Sequence, residues 1–251
     1  MIRWALLAGL LLLSFGSARG QEESIEPRRL VECPTAGLLP RGTFDFDLRM
    51  FPEGGILAGI GIGLMDRLTV GFSFGGEDII GNRKVNWNPR VEFVLKYRLF
   101  EESHTLPALV IGFDSQGFGP YDSELDRYAV KSKGIYLALS RNFSSPLGRM
   151  GIHAGANRSL EREDGDHDVS AYAGLDKELN PQISVLAEYD FALNDDDDRS
   201  IGSGEGYLNA ALRWTFAERL HIELDVKNLT RNGEGDPEPS REIRIVYIER
   251  L

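Results

Sequence analysis

Four histidines and one cysteine limit the chemistry open to this 251-residue chain. Two of those histidines sit in alternating segments, as His153-Ala154-Gly155 and His221-Ile222-Glu223. A histidine that activates a serine on its own strand face needs that serine two residues away, and neither has one. His221 and Glu223 could form an acid/base pair. The simpler reading is a hydrogen-bonding histidine in a polar interior, so no catalytic residue is expected. Asp164, Asp166 and Asp168 resemble part of a calcium loop, yet Val169 holds the sixth position and no glutamate follows at the twelfth. "EREDGDHD" and "NDDDDR" therefore read as solvated acidic loops, whose carboxylates could bridge divalent cations to lipopolysaccharide. Neither a metal site nor a cofactor is expected. Cys33 has no partner for an internal disulfide, and Glu32 before it argues against lipid attachment.

The elements that must position these residues show a period of two. Phe44, Phe46, Leu48 and Met50 share one face of "TFDFDLRMF", with Asp45, Asp47 and Arg49 on the other. The stretch "GIGLMDRLTVGFSFG" alternates, breaks at Met65-Asp66-Arg67, and alternates again. Twelve such segments follow one another to the C-terminus, most of eight to ten residues, about the length of a tilted strand crossing a bilayer. No segment has a helical period, so almost no helix is expected.

The connections sort into two kinds. After the even-numbered segments they are short, among them "MDR" and "AER"; after the odd-numbered ones they are mostly long and polar. Two packed soluble sheets have no reason to sort loops this way. The expectation is an all-β, closed antiparallel transmembrane barrel of about twelve strands, with short periplasmic turns and longer external loops. Aromatics near segment ends, such as Phe74, Tyr97, Tyr189, Phe191, Trp214 and Phe216, suit interfacial girdles.

Such a barrel turns its apolar faces to lipid and lines its interior with the rest. The predicted lumen-lining set is Asp45, Asp47, Arg49, Arg90, Glu92, Lys96, Arg98, Asp114, Asp176, Glu188, Asp190, Arg213, His221, Glu223, Asp225, Lys227 and Arg244. Both signs occur, so neighbours can pair. Closure brings Arg244 toward Asp45 or Asp47. These charges either fill and solvate the lumen or form a selective pathway. Gly59, Gly61, Gly63, Gly71 and Gly75 are unusual on an inward face. They fit either local curvature or the close approach of another segment, with "VECPTAGLLPRG", Val31 to Gly42, as the candidate plug.

Residues 1–20, with Arg3, an apolar run and Ala18-Arg19-Gly20, read as a cleaved secretory signal peptide. Residues 21–41 then form a periplasmic N-terminal segment and 42–251 the barrel. Removing Arg3 and Arg19 from 28 basic residues leaves 26 against 39 acidic, a net charge of −13. That balance argues against nucleic-acid partners. The partners expected are outer-membrane lipids, lipopolysaccharide and the barrel-assembly machinery, with polysaccharide or export proteins as further candidates. Ile243, Ile245, Tyr247 and Leu251 share one alternating set and resemble a terminal assembly signal.

The segments "VECPTAGLLPRGTFDFDLRMF" and "GLMDRLTVGFSFGGEDIIG" resemble the opening of the YjbH-like outer-membrane barrels, over residues 31–80. The resemblance implies a non-enzymatic envelope protein that assists exopolysaccharide secretion or envelope organisation, and transfers no site residue. A passive small-solute channel and a membrane-embedded hydrolase using His221 and Glu223 are the competing readings.

Overall fold

The computed structural model describes residues 26–233, 235 and 237–250, so the segment 1–20 expected to be a signal peptide, residues 21–25 and Leu251 lie outside the described residues. The strands are β1 (Thr43–Phe51), β2 (Gly55–Met65), β3 (Leu68–Glu77), β4 (Asn86–Trp87), β5 (Glu92–Phe100), β6 (Ala108–Asp114), β7 (Phe118–Asp122) and β8 (Arg127–Val130). There follow β9 (Gly134–Ser145), β10 (Gly148–Arg158), β11 (Ser170–Asn180), β12 (Ile183–Asp190), β13 (Tyr207–Phe216), β14 (Leu220–Lys227) and β15 (Ser240–Arg250). Among the described residues there is no helix.

Twelve of these strands form a closed antiparallel barrel, each paired with its sequence neighbour and β15 pairing back onto β1. The closing register sets Asp47 opposite Val246 and Arg49 opposite Arg244. Three short strands were not foreseen from sequence. Strand β4 extends the outer end of β3, and β7 and β8 form a hairpin inside the long β6–β9 connection. Periodicity over five residues or fewer is too brief to read as a strand.

The barrel is inside-out. Phe46, Ile60, Phe72, Phe93, Leu137 and Leu212 are exposed, while Asp45, Glu92, Glu188 and Glu223 are buried. A continuous outer band of this kind is stable only against acyl chains, so the strands span a membrane. Aromatic pairs mark its borders: Phe74 stacks on Trp87 and Tyr189 meets Phe191 at the loop end, and Trp214 packs on Phe216 at the turn end.

Residues 26–41 do not hang below the barrel. They enter it from the turn end, climb, reverse at 30–33 and descend to β1. The reversal is held by Leu30 N–H to the Cys33 carbonyl (3.0 Å) and Thr35 N–H to the Arg28 carbonyl (3.2 Å). Three apolar seats receive this hairpin: Leu30 and Val31 against Leu186 and Ala211, Ala36 and Leu38 against Val110, Tyr136 and Ala138, and Leu39 against Val246 and Ile248.

Candidate functional site

The candidate site is the lumen, filled from both ends. At the hairpin tip, the Glu188 carboxylate on β12 accepts the backbone N–H groups of Val31 (3.0 Å), Glu32 (2.8 Å) and Cys33 (2.9 Å), and the Asn209 side-chain amide (2.8 Å). Successive N–H groups converging on one anion form a nest, which compensates a buried carboxylate without a cation. Around it, Glu32 pairs with Lys227, Lys227 with Glu242 (2.7 Å), and Arg49 with Glu242 (2.9 Å) and the Val31 carbonyl (2.7 Å). Most of this grip comes from β12–β15, with Arg49 reaching in from β1.

The two legs are held lower down. Lys96 Nζ donates to the carbonyls of Arg28 (2.6 Å), Thr35 (3.1 Å) and Gly37 (3.2 Å). Arg28 pairs with Asp45, Arg29 with Asp114 (2.6 Å), and Arg98 with Glu26 (2.6 Å) and the Ala36 carbonyl (2.7 Å). Leu39 N–H donates to Thr69 Oγ1 (3.0 Å). A side chain at Gly63 would overlap the carbonyls of Leu39 and Pro40, and one at Gly61 would meet Asp45, Arg28 and Leu39. These two glycines therefore make room for the hairpin. At Gly75 the nearest atoms belong to the β2 backbone instead.

From the loop end, the 115–133 connection folds inward. The Phe118 ring lies against Arg49 (4.7 Å), Arg29 (5.1 Å) and Lys227 (5.5 Å), so it touches the cations that surround the hairpin tip. The acidic loops hold this connection down. Buried Arg127 donates to Asp164 (2.6 Å) and Asp195 (2.5 Å), Lys131 pairs with Asp164 (2.6 Å), and Tyr207 donates to Asp195 (2.9 Å). Asp164, Asp166 and Asp195 are thus interior groups, where the sequence suggested solvated loops. Glu161 accepts the Ser132 and Tyr128 amides, and burial pushes its carboxyl up to about 7.

Most of the predicted lumen residues are buried. Arg90 precedes β5, stands 45% exposed at the outer mouth, and reaches Glu92 at 3.0 Å and the Tyr121 ring of the inward-folded connection. Arg244 joins Asp47 (2.6 Å) and Glu223 (3.3 Å), Arg213 takes Glu223 (2.7 Å), and Lys133 takes Asp190. Asp225 is buried on the same wall. His221 shares a hydrogen bond with Thr215 (2.9 Å), while Glu223 is committed to two arginines, so no hydrogen bond makes an acid/base pair of them.

A cluster missed in the sequence joins three strands. Ser140 Oγ lies 2.7 Å from His153 Nδ1, and His153 Nε2 lies 2.8 Å from Asp176. The order resembles a hydrolytic triad, but Ser140 Oγ also accepts the Ala36 amide (2.8 Å), all three residues are buried, and Ser140 and His153 line neither of the two cavities described below. The chain clamps the hairpin's descending leg. Only cross-strand register brings these residues together, so spacing in the sequence carried no signal of it.

Two spaces remain. One of about 630 Å3 opens above the hairpin tip, with Glu32, Lys227 and Asn209 in its floor. The other, about 80 Å3, lies between the hairpin and the Gly59, Gly61 and Gly71 face of β2 and β3.

This geometry defines a closed, twelve-stranded antiparallel transmembrane β-barrel. No family model matches the chain, and no curated protein matches it. Among solved structures, the KdgM porin superposes with a TM-score of 0.53 at 10% identity, over 82% of this chain and 98% of KdgM. A second KdgM structure, in complex with disordered oligogalacturonate, gives 0.53 at 11% identity over the same shares. The NanC porin is a looser likeness, at a TM-score of 0.44 and 10% identity over 83% of this chain and 99% of its own.

Proposed function

We propose that the protein is a non-enzymatic, porin-type channel barrel of the bacterial outer membrane, exported by its 1–20 leader and held shut by residues 26–41. One observation carries this reading: a polar twelve-stranded lumen is occupied by a hairpin of its own chain, held mainly by hydrogen bonds and ion pairs. A purely structural barrel could fill its lumen with side chains and would need no separate segment. The hairpin is also continuous with β1 at one end only, which lets it leave toward the periplasm without breaking a strand pair. The test is conductance in planar bilayers. The mature protein should be silent or rarely open, and deletion of residues 26–40 should give sustained single-channel steps. A deletion variant that folds yet stays silent would remove the channel reading.

A second reading, assistance of exopolysaccharide secretion or envelope organisation, has its own support. The YjbH-like resemblance spans residues 31–80, which are the hairpin tip, its descending leg and the glycine-bearing β1–β3 wall. The resemblance thus falls on the parts that close the lumen. A chromosomal deletion that leaves cell-bound and released polysaccharide unchanged would eliminate it.

A further inference from the structure

The smaller cavity has a chemistry of its own. Five cations line it: Arg28, Arg29, Arg49, Lys96 and Arg244. Three carboxylates share the lining, and each is already taken: Asp45 by Arg28, Asp114 by Arg29 and Asp47 by Arg244. Arg49 and Arg244 have further partners just outside, in Glu242 and Glu223. Lys96 is the exception. It is 3% exposed, and its three hydrogen bonds all go to backbone carbonyls, which solvate the ammonium without giving it an ion-pair partner of its own.

An independent feature points the same way. Tyr136 is 1% exposed and lines the cavity, its ring and hydroxyl lie where a Gly112 side chain would be, and the hydroxyl has no hydrogen-bond partner. A buried hydroxyl left without a partner is costly. On the far side the wall is nearly bare, because β2 and β3 present glycines there. A methyl group added at Gly59 would meet Phe72, Ser73 and Asp47 only at ordinary contact distances of 3.4–3.8 Å, so that position, which lines the cavity, has room for one. The volume holds a few waters or one small ion.

We propose that this cavity binds a small monovalent anion, chloride or a short carboxylate, between the Arg28 and Arg29 guanidinium groups and the Tyr136 hydroxyl. The anion balances Lys96 and supplies the acceptor that Tyr136 lacks. This deepens the channel reading by naming the ion class its lumen favours with the hairpin in place. Binding is measured without any conductance, so the two can fail separately.

The probe is bromide. Crystals of the mature protein grown in sodium bromide should give an anomalous peak inside the cavity. Gly59→Leu, which fills the space, should abolish that peak, and Tyr136→Phe should lower the affinity roughly fivefold for one lost hydrogen bond. In detergent, the wild type should melt higher in bromide than in gluconate at equal ionic strength, and the difference should vanish in Gly59→Leu. No peak in the cavity, peaks only at the protein surface, or an undiminished peak in folded Gly59→Leu would each overturn the proposal.

Discussion

The two sides of the lumen treat the same hairpin in opposite ways. The β12–β15 side grips it: Glu188 takes three consecutive amides, and Lys227 and Glu242 hold Glu32 and Arg49. The β2–β3 side yields to it, with Gly61 and Gly63 under the descending leg and a cavity beside Gly59. The first side fixes position through directional bonds, each expensive to leave unmade. The second admits bulk by omitting side chains, and so has little to hold with. A hairpin leaving the barrel should therefore break the tip contacts first, then slide past the glycines.

The largest effect should follow from breaking the grip. Glu188→Ala leaves three buried N–H groups without an acceptor, at roughly 1–3 kcal/mol each. Hydrogen exchange at 31–33 should accelerate by about a hundredfold or more, and bilayer openings should become frequent. Glu188→Gln, which keeps two acceptor sites on one oxygen, should fall between. Exchange rates unchanged in Glu188→Ala would mean that the apolar seats alone hold the tip.

Next comes the outer connection that covers the same side. Burial lifts Glu161 from 4.5 to about 7 in the folded protein. A raised acid pKa means the folded state holds the proton more tightly, so this group's contribution falls as pH rises from about 4.5 to 7 and is constant above. The penalty is on the order of 3 kcal/mol at full ionisation. Glu161→Gln should therefore gain melting temperature relative to wild type as pH rises through that window, with the gain flat above it. A difference independent of pH would contradict the assignment.

The yielding side gives smaller and graded effects. Gly63→Val forces a side chain into the Leu39 and Pro40 carbonyls and should cost about 1–3 kcal/mol, read as loss of thermal stability or partial release of the hairpin. Gly59→Ala, with 3.4 Å to its nearest neighbour, should change stability by less than about 0.5 kcal/mol. Equal costs at the two positions would mean that strand curvature, not the hairpin, demands glycine there.

Much of the barrel was legible because its rule is local. A lipid-facing residue must be apolar and its neighbour must not, so Phe44 to Met50 or His221 to Lys227 declare a strand and its faces without knowledge of the partner strand. The number of alternating segments set the strand count, and loop sorting set the direction. Strand order alone also brought Arg244 toward Asp45 or Asp47, and the register selects Asp47. Other features depend on register or on distant residues. Ser140, His153 and Asp176 lie on three strands, and nothing in their spacing reveals that they meet. Arg127 pairs with Asp164 and Asp195 across three loops, so the acidic runs looked like solvent-exposed stretches. The hairpin left a trace that can be read in retrospect: Val110, Leu186, Val246 and Ile248 occupy inward positions yet are apolar, and Gly61 and Gly63 are bare. Apolar residues on an inward face mark where something dry must sit.

Cys33 offers the most direct measurement, because it is the chain's sole thiol and it lies at the hairpin tip with no exposed surface. Folded mature protein should take up no maleimide over hours, while the Glu188→Ala variant and the denatured protein should label to completion. Rapid labelling of Cys33 in the folded wild type would contradict a hairpin seated in the lumen.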